Sequence, residues 1–141
     1  MITNIMRPLP GFLSENRSKD IYGWKKVYYF KSDDHLGLLS SYESAIAKLV
    51  IPKDAAVIFT NHKCRASYVI VDGFYPDDRL FEPGPSKKLD IKLAVSAYDV
   101  GFRYEDGKIA TPDSFDPDPE IECSYGIHFF RTYKEARQYV L

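Results

Sequence analysis

Long apolar runs are missing from this chain, and no stretch approaches the ~18 consecutive apolar residues of a membrane-spanning helix. The opening residues, MITNIMRPLPGF, are too short and too interrupted by proline to read as a secretory signal. There are two cysteines, too few for the disulfide framework of a small secreted domain. Cys64 and Cys123 are therefore expected as free thiols in a reducing cytoplasm. An excess of positive charge is also missing. The net charge is −1, which excludes bulk binding to duplex nucleic acid or to an anionic membrane, although a local basic cluster remains compatible. No internal repeat and no low-complexity tract interrupts the 141 residues.

Aromatic residues are abundant instead. Eleven Tyr and nine Phe stand mostly in segments that read as strands, where aromatic side chains pack well. A tyrosine ring also suits interfaces and stacked ligands, because one end is apolar and the other polar. With 45% hydrophobic and 28% charged residues, the chain has the composition of a soluble globular domain. Its length fits one such domain.

Residues 1–21 read as an N-terminal arm, broken by Pro8, Pro10 and Gly11, and residues 22–141 as a single globular domain. GWKKVYYF (23–30) and AIAKLVIP (45–52) read as strands, the second stopping at proline. A turn-like segment with a short apolar stretch at 36–39 lies between them. AAVIFT (55–60) is a further extended piece, and CRASYVIVDGF (64–74) one strand closed by Asp72-Gly73. YPDDRLFEPGPSKKLD (75–90) is a long loop, the expected ligand-gating segment. IKLAVSAYDV (91–100) is equally compatible with helix and strand. GFRYEDGKIATP predicts a hairpin whose Asp106-Gly107 suits a type I′ turn. DSFDPDPEIE (113–122) is an acidic loop. YGIHFF (125–130) reads as a strand, followed by a helix with the capping box Thr132-x-x-Glu135. In that helix Ala136 and Val140 should face the sheet, with Tyr139 beside them. The expected fold class is α+β: a single compact domain, mostly antiparallel sheet, with a C-terminal capped helix packed on it.

Several groupings could carry chemistry. His62, Cys64, Cys123 and His128 have the ligand types of a zinc site, but His-x-Cys and Cys-x4-His are not zinc-knuckle spacings. Two buried thiols account for the cysteines equally well. A Cys–His nucleophile would need Cys64 or Cys123 beside His128, and no third, orienting residue is identifiable. No catalytic residue, metal or cofactor is assigned on this basis. The basic grouping is more specific. Lys63 and Arg65 fall on one strand face, and Arg131 stands where a strand meets a capped helix start, a position that favours anions. Tyr125 and Tyr133 would supply stacking surface, and His128 lies on the strand between them. These six residues form the candidate ligand site. The competing reading makes Lys63 and Arg65 a solvated face and pairs Arg131 with an acidic loop residue.

Two resemblances add to this. YGIHFFRTYKEARQYV (125–140) is similar to a strand and following helix of ADP-ribosyltransferases. Tyr29 stands where that family has an upstream histidine, and no downstream glutamate strand follows. Five blocks taken in order cover more of the chain. GWKKV, AKLVIPKDA, KCRAS, SAYDVGFRYEDGKIATPDSFD and ECSYGIHFFRTYKEA together resemble an uncharacterised domain family found beside pentapeptide repeats and in phages and large viruses. The match spans roughly residues 22–139, and Lys63, Cys64, Arg65, Cys123, Gly126, His128 and Phe129 are the positions that carry it. Because this chain has no such repeats, the resemblance implies a domain acting alone or as a homo-oligomer. The expected function is a non-enzymatic cytoplasmic binding module for a small anionic, nucleotide-type ligand. Its role would be phage counter-defence, by sequestering a cyclic nucleotide or an ADP-ribose derivative. The alternatives are a protein-interaction module with an aromatic surface and a Cys/His-dependent or ADP-ribosyl-type enzyme.

Overall fold

The computed structural model describes residues 11–31, 41–77, 87–97, 99 and 101–139. The apolar stretch at 36–39, most of the long loop at 75–90 and the contact expected of Val140 lie outside them. Two antiparallel sheets share the core. The smaller has the order β1 (Phe12–Ser14), β4 (Val57–Phe59), β5 (Cys64–Ala66), β10 (Ile127–Phe129). The larger has the order β8 (Arg103–Glu105), β7 (Leu93–Val95), β2 (Ile21–Lys31), β3 (Ser41–Ile51), β6 (Val69–Pro76), β9 (Ile109–Ala110). One helix, α1 (Tyr133–Gln138), follows β10. The fold is thus rich in sheet with only a small helical part. No helix among the described residues is long and apolar enough to cross a membrane.

The strands form where alternation separates two faces. In β3, Ala45, Ala47, Leu49 and Ile51 point into the main core beside Val27 of β2, while Ile46 points to the opposite face. There Ile46 meets Trp24, Tyr75 and the helix residues Tyr133 and Ala136. The helix therefore covers the outer face of β2 and β3, and the smaller sheet contributes to the core on the inner face. β10 joins the two sheets. Its His128 pairs with Arg65 of β5, and two residues on Phe130 exchanges two backbone hydrogen bonds of 2.8 Å with Trp24 of β2. Gly23 permits this junction: a Cβ there would stand 2.4 Å from Cδ2 of Phe129.

Three local expectations are corrected. Residues 64–74 are not one strand. The chain leaves the smaller sheet after Ala66 and enters the larger one at Val69, because Ser67 is tied to Ala56 through backbone N–H and side-chain Oγ. Asp72-Gly73 does not end the strand. The two residues together oppose Lys48 in a bulge, which shifts the buried positions from Val69 and Val71 to Phe74. The runs flanking Asp106-Gly107 do not pair as a hairpin either. β8 pairs with β7 and β9 with β6, so this turn connects the two edges of the larger sheet and curls it back on itself. Gly107 has φ +81° while Asp106 does not share the positive region, so the turn is not type I′. The ambiguous 91–100 segment supplies β7, and within the stretch read as an arm Phe12–Ser14 pairs with β4.

Candidate functional site

A cavity of about 700 Å³ opens beside β2, where Lys25 interrupts the apolar residues of the inner face. Gly23 and Val27 are buried on that face, and Lys25 stands between them. Lys25, Lys63, Tyr104, His128 and Tyr139 line the cavity, together with Phe102 and the wall residues Cys123, Ser124 and Tyr125.

The polar groups at its floor are basic. Lys25 Nζ donates to the His128 carbonyl at 3.0 Å and lies 6.0 Å from the centre of the Tyr104 ring. Among the described residues no carboxylate pairs with it. Burial lowers its pKa to about 8, and the charge of Lys63 pushes the same way. Lys63 Nζ donates to the Tyr139 hydroxyl at 3.3 Å and sits 4.9 Å above that ring. His128 has its Nε2 buried without a hydrogen-bond partner. Burial, then the charges of Lys25 and Lys63, lower its pKa to about 4, against a hydrogen bond to the Ser124 backbone that pulls upward. The imidazole is therefore neutral at pH 7. Tyr104 is almost fully buried, and burial raises its phenol well above the usual range. Two carboxylates, Asp99 and Asp113, also line the cavity, both from exposed positions. Asp99 accepts from the Gly101 backbone N–H at 2.9 Å. The cavity thus presents two lysine amines, a neutral imidazole whose Nε2 has no hydrogen-bond partner, and aromatic ring surface.

The six residues expected to form the site divide. Lys63, Tyr125 and His128 line the cavity. Arg65, Arg131 and Tyr133 are not among its lining residues. Arg65 is 1% exposed and donates to four backbone carbonyls: Asp116 at 3.0 Å, Asp118 at 2.8 Å, Ile121 at 2.8 Å and Glu122 at 3.3 Å. It holds the acidic loop that supplies the cavity wall, and its guanidinium is not offered to a ligand. Strand alternation puts it on one face with Lys63, a ligand face in the expected site, but β5 is buried on both sides. Arg131 stacks 4.9 Å over Phe59 and donates to the Thr60 carbonyl at 3.1 Å. Tyr133 is buried on the helix side of the larger sheet, edge-on to Trp24, with its hydroxyl on the Pro76 carbonyl. Lys25 and Tyr104 were missed. The available signal was a lysine on the same strand face as Gly23 and Val27 in GWKKV, an inward position that a solvated lysine would avoid.

The thiols separate as well. Cys64 is buried with Sγ 3.9 Å from the Thr60 carbonyl, while Cys123 is exposed on the cavity wall. Among the described residues no three of His, Cys, Asp and Glu gather as a metal ion would require.

A family of unknown function, DUF5758, matches residues 12–136. The chain belongs to that family. No curated protein and no solved structure matches it.

Proposed function

We propose that this DUF5758 domain is a non-enzymatic binding module whose cavity takes a small anionic ligand of nucleotide type. The observation that carries the reading is the floor: Lys25, Lys63 and the unpartnered Nε2 of His128 gathered with no buried carboxylate among the described lining residues. The charge of Lys63 lowers the protonation of Lys25, and both lysines lower that of His128, a repulsion that an anion would relieve. The aromatic rings of Phe102, Tyr104, Tyr125 and Tyr139 supply a body-binding surface on the same cavity. A cyclic nucleotide or an ADP-ribose derivative combines the two chemistries. The sequestering role in a phage setting, and a cytoplasmic location with or without homo-oligomerisation, extend this reading on the strength of the block resemblance alone.

The test is calorimetry against cyclic di- and trinucleotides and ADP-ribose derivatives. Lys25→Met and Lys63→Met should each weaken binding by roughly ten- to a hundredfold, the range of one charge-assisted contact. Arg131→Ala, outside the cavity, should leave it unchanged. No binding stronger than millimolar to any of them, or binding indifferent to both lysines, would refute the reading. A blank result would favour an interaction module instead, for which Phe30 and Tyr42 are the motivating feature. They are about half exposed, edge to face at 5.7 Å on paired strands.

A further inference from the structure

We infer that Lys25 is a covalent anchor of the cavity, condensing with the open-chain aldehyde of a phosphorylated sugar to form a Schiff base. This rests on the anionic-ligand reading of the same cavity and deepens it from charge to a reacting group.

Three features of the geometry lead there. The amine lines a cavity large enough for a sugar phosphate, with one acceptor among the described residues, the His128 carbonyl, at 3.0 Å. No carboxylate among the described residues holds it as an ammonium. A second ammonium, Lys63, lines the same cavity, and the ring of Tyr104 walls Lys25 off on another side. A desolvated amine beside another cation is the environment that keeps lysine partly unprotonated and nucleophilic. With a pKa near 8, about a tenth of Lys25 is neutral at pH 7.

The step balances without a further reagent. The Nζ lone pair adds to the carbonyl carbon, forming the C–N bond. The carbonyl π pair moves to oxygen, which takes a proton, and one proton leaves nitrogen. The resulting carbinolamine expels that oxygen as water, giving the C=N bond. The phosphate of the same molecule stays as the partner of Lys63. A ligand with phosphate but no aldehyde, such as a cyclic nucleotide, would bind without condensing. A sugar phosphate with a free anomeric carbon would do both.

The experiment uses the full chain with ribose 5-phosphate and borohydride, followed by peptide mapping. The expected result is one reduced adduct per chain on Lys25, suppressed by excess inorganic phosphate and half-maximal near pH 8. Lys25→Arg keeps the charge and should lose the adduct. Adducts spread over exposed lysines such as Lys53 and Lys87, or unchanged labelling in Lys25→Arg, would overturn the inference. So would half-maximal labelling above pH 10, a readout that needs no variant to fold. Calorimetric binding of a cyclic nucleotide with no trapping of ribose 5-phosphate would remove the covalent step and leave the binding reading intact. Absence of both would remove both.

Discussion

A buried guanidinium needs acceptors for its N–H groups, and Arg65 finds them in one loop. Four carbonyls between Asp116 and Glu122 converge on it, and Asp116 further organises the loop by accepting from the Ser124 hydroxyl at 2.6 Å and the Asp118 N–H at 2.9 Å. Those contacts hold the Asp116 carboxyl below the ordinary range, the Ser124 hydroxyl foremost. Arg65→Ala should therefore strip the part-buried carbonyls of Asp116, Ile121 and Glu122 of this donor, while the Asp118 carbonyl keeps the Ile121 N–H at 3.2 Å, and cost about 2–3 kcal/mol. Thermal unfolding would read the loss, and hydrogen exchange should quicken first in the loop from Asp113 to Ser124. Arg65→Lys should recover little, since a single ammonium cannot reproduce the fork. Unchanged stability and unchanged exchange in Arg65→Ala would contradict this role. A basic residue in KCRAS is visible in the sequence, but its role is not. Whether such a residue meets a ligand or a loop depends on backbone groups fifty residues away, which no local spacing reports.

Elements with local causes were the legible ones. Alternation marks β2 and β3, and Thr132-x-x-Glu135 marks the start of α1. The cap forms as its chemistry requires, with Thr132 Oγ1 accepting from the Glu135 N–H at 3.1 Å. The return contact differs from a full capping box, because the Glu135 carboxylate bonds the Thr132 hydroxyl at 2.8 Å rather than its backbone N–H. Thr132→Ala should cost about 1 kcal/mol, and Glu135→Ala distinctly less, as its carboxylate only buttresses the capping hydroxyl. Equal thermal midpoints for wild type and Thr132→Ala would speak against the cap. The other end of the helix is held by Lys26, whose Nζ donates to the Arg137 and Tyr139 carbonyls at 2.9 and 2.8 Å, where a helix C-terminus favours a cation. Strand pairing was less legible than strand existence. Asp106-Gly107 does turn the chain, but which strands pair beyond a turn is decided by distant partners, here β6 and β7.

At the scale of the whole molecule, the cavity lies where two sheets meet at β10 and Lys25 interrupts the apolar inner face of β2. Of the six expected residues Lys63, Tyr125 and His128 reach the cavity, since they lie in or next to strands that the sequence marks. GWKKV marks Lys25 as inward-facing, but that it faces a cavity and not packed side chains is a property of the assembled sheets. The same geometry sets a dependence on pH. His128 is depressed from 6.5 to about 4, so between those values the unfolded chain binds more protons than the folded one. Stability is thus fully present above pH 6.5 and falls as pH drops toward 4, by about 2 kcal/mol after allowance for partial exposure. His128→Gln should lack that slope, which separates it from the carboxylates that titrate in the same range. Lys25, depressed from 10.5 to about 8, gives the matching rise in stability between pH 8 and 10.5. An anion in the cavity favours the charged form of both groups and raises both pKa values. Binding should then take up protons, and affinity for a nucleotide-type anion should strengthen as pH falls from 10 toward 8. Thermal midpoints measured across pH with and without the ligand, and an NMR titration of the His128 ring, check this together. A His128 pKa that stays near 4 in the presence of a bound anion would place the anion elsewhere on the protein.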